Sequence, residues 1–241
     1  MSSVSEGLQR VRARIATAAA AAGRDPAGVR LVAVSKTFPP AAIVEAIAAG
    51  QREFGENYAQ EGADKIRAIS ALAADGGVAL PAPLTWHYIG PIQSNKTRTI
   101  AEHFDWVHSV DRAKIAQRLS DARAPEAPAL NVCIQVNVSG EDSKSGVQPG
   151  EALALARAIQ ALPRLRLRGL MTVPRETPDP AGQRGQFHVL QALQEQLRRE
   201  GVELDTLSMG MSEDLEAAIA EGATLVRVGR AIFGARPRAP A

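Results

Sequence analysis

Short runs of apolar and β-branched residues recur eight times along this chain, and each is followed by a segment with helical spacing. This alternation is typical of parallel strands joined by crossover helices. The predicted strands lie at 30–35, 52–55, 85–90, 106–110, 131–138, 167–173, 206–209 and 224–228. The predicted helices lie at 40–49, 59–73, 95–102, 112–122, 149–162, 181–200 and 212–221. A further amphipathic helix is expected before the first strand, because Val4, Leu8, Val11 and Ile15 follow helical spacing.

An open, doubly wound sheet would give the same alternation of strands and helices. Such sheets usually have fewer strands, and they often carry a glycine-rich phosphate loop after the first one. Here Lys36 and Thr37 stand at that place. Eight strands within 241 residues, the usual size of one α/β barrel, favour closure. We therefore predict a single α/β domain over 1–241, a (β/α)8 TIM barrel with an extra N-terminal helix.

The charge and the cysteine content indicate which binding partners and which cellular compartment to expect. The 28 basic and 26 acidic residues leave a formal charge of +2, which does not indicate a nucleic-acid or membrane surface. The single cysteine, Cys133, lies in an apolar run and excludes an internal disulfide. The alanine-rich stretch 15–22 is too weakly apolar and too short for a signal peptide or a membrane span. We expect a cytoplasmic protein.

Lys36 is the most prominent polar residue at a predicted strand end. In α/β barrels the active site lies at the carboxyl ends of the strands, so the first strand would deliver this amine to the barrel mouth. Partial desolvation there would favour its use as a nucleophile. A lysine that ends a strand is, taken alone, more often a solvated cap. The other strand ends must therefore decide between these two interpretations.

The junctions after the seventh and eighth strands match the place where barrels frequently bind phosphate. Gly210 allows close approach of the backbone, and Ser212 is predicted to cap the next helix and to present its hydroxyl to an anion. Gly229 and the amides that follow it would close the cup from the other side. Each feature alone suits an ordinary cap or turn. Their joint occurrence favours a phosphate site.

Arg227 lies inside the eighth strand, two residues before Gly229, so alternation places both residues on the same face of the strand. An arginine that faces the barrel interior needs a partner, and a pyridine nitrogen would serve as an acceptor. Alternatively, Arg227 points to solvent or pairs with an acidic residue such as Glu56. The sequence leaves these alternatives open.

Seven motifs, in order along nearly the whole chain, resemble those of one known family. They are LVAVSKT at 31–37, FGENY at 54–58, WHYIGPIQSNK at 86–96, SKSG at 143–146, GLMT at 169–172, LSMGMS at 207–212 and RVGRAIFG at 227–234. The chain resembles the YggS/PROSC family of pyridoxal 5′-phosphate (PLP) homeostasis proteins, which is related to the N-terminal barrel of bacterial alanine racemase.

The resemblance implies roles for particular residues. Lys36 would hold PLP as a Schiff base, Arg227 would approach the pyridine nitrogen, and Ser212, Gly229 and Arg230 would surround the phosphate. Arg230 departs from the family pattern, which usually has threonine or serine at this position, so the phosphate would lose a hydroxyl donor. A backbone N–H would still remain, and a guanidinium can pair with phosphate or turn to solvent.

The resemblance also implies a lining for the ring pocket, formed by Asn57, His87, Ile89 and Met171, and it places Met209 among the cofactor-binding residues. Simpler interpretations remain for three of these residues. His87 suits a hydrogen-bonded core histidine, Met171 suits barrel packing, and Asn57 suits a loop-stabilising role. Lys144, in the polar loop 139–146, is either a solvated charge or a reserve amine.

Two functions from different classes fit such a site. One is a carrier that buffers PLP and passes it to apo forms of PLP-dependent enzymes. The other is an amino-acid racemase, which needs a second acid–base residue opposite Lys36. Alanine racemase takes that residue from a C-terminal domain across a dimer, and the 241 residues leave no room for one. We therefore expect PLP binding and homeostasis without robust turnover, in a monomer.

Overall fold

The computed structural model describes residues 3–80, 82–141 and 145–235. Its described strands form one closed parallel barrel in which each strand pairs with its neighbours in chain order and β8 pairs with β1. The strands are β1 Arg30–Val34, β2 Glu53–Glu56, β3 Thr85–Tyr88, β4 Trp106–Val110, β5 Leu130–Gln135, β6 Leu165–Met171, β7 Thr206–Ser208 and β8 Leu225–Val228. The predicted (β/α)8 barrel is confirmed.

Helices surround this barrel and pack on it through apolar faces. They are α1 Val4–Ala21, α2 Pro40–Ala48, α3 Ala59–Ala74, α4 Thr97–His103, α5 Ala113–Ala122, α6 Ala152–Gln160, α7 Pro180–Arg199, α8 Leu215–Ala220 and α9 Arg230–Phe233. The predicted α4 and α6 segments begin with 3₁₀ turns, Ser94–Lys96 and Pro149–Glu151, so the α-helices start later than predicted. None of the helices in the described ranges is long and apolar enough to cross a membrane.

The helix before the barrel, α1, is held by a capping box and by its buried face. Ser3 accepts a hydrogen bond from the Glu6 N–H, and the Glu6 carboxylate accepts one from the Ser3 N–H. Leu8 and Val11 are fully buried where α1 packs against α8, α9 and α2. Gly7 allows the approach to α9, because a Cβ there would lie 2.5 Å from the Ile232 carbonyl oxygen. The predicted amphipathic helix is present.

Candidate functional site

A cavity of about 750 Å³ opens at the carboxyl ends of the strands. Its wall takes residues that follow β1, β2, β3, β6, β7 and β8, so the barrel gathers into one space side chains that are far apart in the sequence. Seven of the predicted site residues line it, namely Lys36, Asn57, Ile89, Ser212, Arg227, Gly229 and Arg230. The expectation that these strand ends meet at one mouth agrees with the structure.

Lys36 is half-buried and lies in a tight turn directly after β1. The Phe38 N–H donates to the Ser35 carbonyl at 3.1 Å and closes this turn. Thr37 has a φ of 68°, in the left-handed region that β-branched residues rarely adopt. The lysine is therefore presented to the cavity by a strained segment of backbone.

Arg227 is buried at the cavity wall, with 4% of its surface exposed. Its Nη1 donates to Ser208 Oγ at 2.7 Å, and its Nη2 donates to the Thr172 carbonyl at 2.8 Å. Glu56, the acidic partner considered from sequence, pairs with Lys65 instead. Burial lowers the pKa of Arg227 to about 10, so the guanidinium still carries its charge at pH 7. A buried cation thus faces the cavity.

A chain of buried polar groups holds Arg227 from below. Because a guanidinium only donates, Ser208 Oγ accepts from Arg227, and the same hydroxyl is hydrogen-bonded to His108 Nδ1, 2.7 Å away. His108 Nε2 is in turn hydrogen-bonded to His87 Nδ1 at 2.9 Å, with one ring donating to the other. Burial lowers the pKa of both imidazoles, which keeps them neutral.

His87 therefore belongs to this interior network and not to the cavity lining. It is fully buried, and its Nε2 lies 3.2 Å from Glu53 Oε2 without the geometry of a hydrogen bond. Met171 is also fully buried and packs with Trp106 and Cys133 inside the barrel. The structure therefore does not place His87 and Met171 in the cavity wall, where the ring pocket was predicted.

Met209 is likewise absent from the cavity wall. It follows β7 and is fully buried in the apolar layer shared with the helices. Since Ser208 faces the barrel interior, alternation along the strand turns Met209 to the other side. Met209 was predicted to bind the cofactor, but the structure does not bring it to the cavity with the other site residues.

The loop after β7 differs from the predicted cap. Ser212 lines the cavity, but α8 begins only at Leu215, so Ser212 does not cap it. Residues 212–214 form a turn that is closed by Asp214 Oδ1, which accepts from the Met211 N–H at 2.6 Å. Arg14 of α1 donates to the Ser212 carbonyl at 2.9 Å and fixes this turn from outside.

Two glycines allow the loops after β7 and β8 to come close to the barrel. Gly210 has a φ of 95°, and a Cβ there would lie 2.6 Å from the Ala218 Cβ. At Gly229 a Cβ would lie 3.0 Å from the Val34 carbonyl oxygen, so the start of α9 sits against the end of β1. Arg230 is exposed at the cavity rim. The predicted phosphate loops therefore face the cavity next to Lys36.

Asn57 offers an acceptor at the cavity. Its Oδ1 is buried and has no hydrogen-bond partner within the described part of the chain. Gly90 lies against the Asn57 backbone, because a Cβ on Gly90 would lie 2.0 Å from the Asn57 carbonyl oxygen. A ligand with a hydroxyl or N–H group would satisfy the Asn57 oxygen.

Sequence reasoning missed the outer wall of the cavity and the support of Lys36. Residues 173–178, between β6 and α7, line the cavity, and no site residue was predicted in the part of this segment that follows β6. Glu61 and Lys65 of α3 contact the backbone next to Lys36. Their spacing of four residues was the available signal, but it is common on solvated helix faces. Lys144 lies outside the described residues.

The reactivity of the Cys133 thiol reports whether the barrel interior is closed to solvent. The thiol is fully buried, and burial raises its pKa to about 12. The thiolate is the reactive form, so a thiol with a raised pKa reacts slowly. At pH 8 we expect the folded protein not to react with a thiol reagent during the time in which the protein unfolded in guanidinium reacts fully. Absorbance of the released chromophore measures this. Rapid labelling of the folded protein would contradict the placement of Cys133.

Comparisons with known proteins show which family this chain is similar to. The family model described as the alanine racemase N-terminal domain matches residues 7–237. A pyridoxal phosphate homeostasis protein of Pseudomonas aeruginosa is 59% identical over 236 residues, covering 98% of this chain and 97% of that protein. The protein of the same name from Escherichia coli K12 is 53% identical over 239 residues, covering 98% of each.

A solved structure extends the comparison. The structure of PipY from Synechococcus elongatus with PLP bound has a TM-score of 0.79 and 36% identity, covering 96% of this chain and 100% of that one. An alanine racemase from Corynebacterium glutamicum, at 17% identity and a TM-score of 0.66, shares the fold. From these matches across nearly its whole length, this chain belongs to the family of pyridoxal phosphate homeostasis proteins, built on the alanine racemase N-terminal domain.

Proposed function

We propose that this chain binds PLP in the cavity, attached as a Schiff base to Lys36, and acts in PLP homeostasis as a carrier without robust catalytic turnover. The observation that carries the proposal is that Lys36, Arg227 and the loops after β7 and β8 line one cavity. The PipY relative, whose structure has PLP bound, supports the choice of ligand.

The residues present fit this cofactor. When bound, PLP supplies an aldehyde that condenses with a lysine amine and loses water. Among the described residues, Lys36 is the lysine that lines the cavity, so it would hold the aldehyde carbon. Asn57 Oδ1, which has no partner within the described ranges, would accept from a hydroxyl group of the ligand. Ser212, Gly229 and the Arg230 backbone would hold the phosphate.

Arg227 is the residue that disfavours turnover. Its guanidinium is held by Ser208 and Thr172 and only donates, so it would place a hydrogen toward the ring nitrogen. A nitrogen that accepts from a cation resists protonation, and the ring then withdraws electrons less strongly. This weakens the electron sink on which most PLP chemistry depends.

The tyrosines give a second argument against racemisation. The chain has two, and neither lines the cavity. Tyr88 is buried, donates its hydroxyl to the Pro91 carbonyl at 2.9 Å, and has its pKa raised to about 12 by burial. Tyr58 is 56% exposed, outside the cavity wall. Neither tyrosine can serve there as an acid–base residue opposite Lys36.

The proposal extends to partners and location. Apo forms of PLP-dependent enzymes are the proposed recipients, the chain is proposed to act in the cytoplasm, and the monomer is the proposed state. Light scattering of the purified protein, with and without PLP, measures the mass in solution.

Two measurements test this function. The PLP-loaded protein is incubated with single enantiomers of amino acids and followed by chiral chromatography, where we expect no enzyme-like racemisation. It is then mixed with an apo PLP enzyme, where we expect recovery of activity at a rate different from that with free PLP. Steady racemisation would reject the carrier in favour of an amino-acid racemase. Failure of the protein to bind PLP would reject both functions.

A further inference from the structure

The turn that presents Lys36 is strained at the following residue. The turn runs from Ser35 to Phe38 and places Thr37 third, with a φ of 68°. A turn that needs positive φ at its third position normally has glycine or asparagine there. A threonine carries a steric cost in this conformation, and such a cost persists only where surrounding contacts determine the backbone.

Two residues of α3 supply these contacts, one on each side of Lys36. Glu61 Oε1 accepts a hydrogen bond from the Thr37 N–H. Lys65 Nζ donates to the Ser35 carbonyl at 2.7 Å. The two side chains also pair with each other, with 2.6 Å between Lys65 Nζ and Glu61 Oε1. The backbone before and after Lys36 is therefore held by one ion pair.

The ion pair is anchored below the turn. Lys65 is only 5% exposed and also donates to Glu56 Oε1 at 2.9 Å, and Ser35 Oγ donates to the same oxygen at 2.7 Å. Neither Glu61 nor Lys65 lines the cavity. Burying these charged groups is unfavourable because they lose hydration. Glycine at position 37 would adopt the same φ without strain and without needing the ion pair. The two contacts fix the backbone immediately before and after Lys36.

We propose that Glu61, supported by Lys65, is a positioning residue for Lys36: it holds Thr37 in the left-handed conformation and so directs the Lys36 amine into the cavity. The inference rests on the proposed function, because covalent attachment is the step that needs a directed amine. Glu61 would act through the backbone and would not touch the ligand.

The test compares covalent attachment with simple binding in Glu61→Ala. After mixing with PLP, the amount of adduct trapped by borohydride over time should grow about tenfold more slowly than in the wild type. Pyridoxine 5′-phosphate, an alcohol that cannot condense with an amine, should bind within about threefold of the wild-type affinity, because its contacts lie elsewhere. If the attachment rate of PLP and the affinity for pyridoxine 5′-phosphate fell by the same factor, the whole site would be loosened and the proposal would be overturned. An unchanged attachment rate would also overturn it.

Two further variants sharpen the test. Glu61→Gln retains an oxygen that accepts from the Thr37 N–H, and it should restore most of the attachment rate. In Thr37→Gly the backbone takes positive φ without strain, so adding Glu61→Ala should slow attachment far less than in the threonine background. The same slowing in both backgrounds would contradict a role through Thr37.

A measurement on cofactor-free protein separates this inference from the proposed function. The Thr37 amide should exchange slowly with deuterium in the wild type and faster in Glu61→Ala. If the wild type forms no adduct with PLP at all, the proposed function fails, and the exchange rates still decide whether Glu61 holds the turn. Equal exchange in the two proteins would overturn the inference.

Discussion

Lys36→Ala is expected to abolish covalent attachment of PLP. In the wild type, borohydride reduction followed by peptide mapping should place the adduct on Lys36, because this lysine lines the cavity beside Arg227. The variant should show no trapped adduct and no absorbance band of the bound Schiff base. It should still bind PLP weakly, since Ser212, Gly229 and Arg230 remain. We expect a loss of affinity of at least about tenfold, because the covalent bond is removed and the loops are kept.

Lys114→Ala is the matched control, since Lys114 is exposed on α5 and outside the cavity wall. Its adduct yield and spectrum should equal those of the wild type. Lys65 is the more demanding comparison, because it lies next to the same turn but donates to two carboxylates and a carbonyl. An adduct that moves to Lys65 in Lys36→Ala would show that position 36 is not required. An adduct formed at any other residue of the variant in undiminished yield would contradict the assignment of Lys36 as the attachment site.

The sequence predicted the mouth of this site because the end of an apolar run marks the carboxyl end of a strand, and several polar residues follow such ends. Lys36 and Gly229 each follow an apolar run, and parallel strands bring such positions together whatever the helices do. The barrel and the preceding helix α1 were predictable for the same reason, since periodicity reports which face of an element is buried. The starts of α4 and α8 were not, because local turns there replace the first helical residues.

Depth within the barrel is the property that periodicity does not report. His87 and Met171 alternate correctly with their neighbours, but alternation says only that a side chain points inward, not at which layer it lies. Layer depends on the register between strands, such as the pairing of His87 with Trp106. The support of Lys36 by Glu61 was also beyond reach, since 24 residues separate Thr37 from Glu61 and their contact depends on the register of α3.

Gly90→Ala is expected to damage both stability and ligand binding. A Cβ at Gly90 would lie 2.0 Å from the carbonyl oxygen and 2.7 Å from the carbonyl carbon of Asn57. Backbone atoms cannot rotate away as a side chain does, so the segment after β2 must shift. We expect the free energy of unfolding to fall by about 3 kcal/mol. PLP affinity should fall by about tenfold or more, because Asn57 moves with its backbone.

Gly185→Ala separates the clash from the mere addition of a methyl group. Gly185 lies inside α7, and a Cβ there would meet nothing within 4 Å. Alanine is the better helix former, so this variant should gain about 0.5–1 kcal/mol and bind PLP as the wild type does. Urea titration gives both changes in stability, and a fluorescence titration gives the affinities. The two variants add the same methyl group, but the expected changes in the free energy of unfolding have opposite signs. A Gly90→Ala protein as stable as the wild type would show that the β2–α3 segment is free to move. Asn57 would then not be held at the cavity by its contact with Gly90.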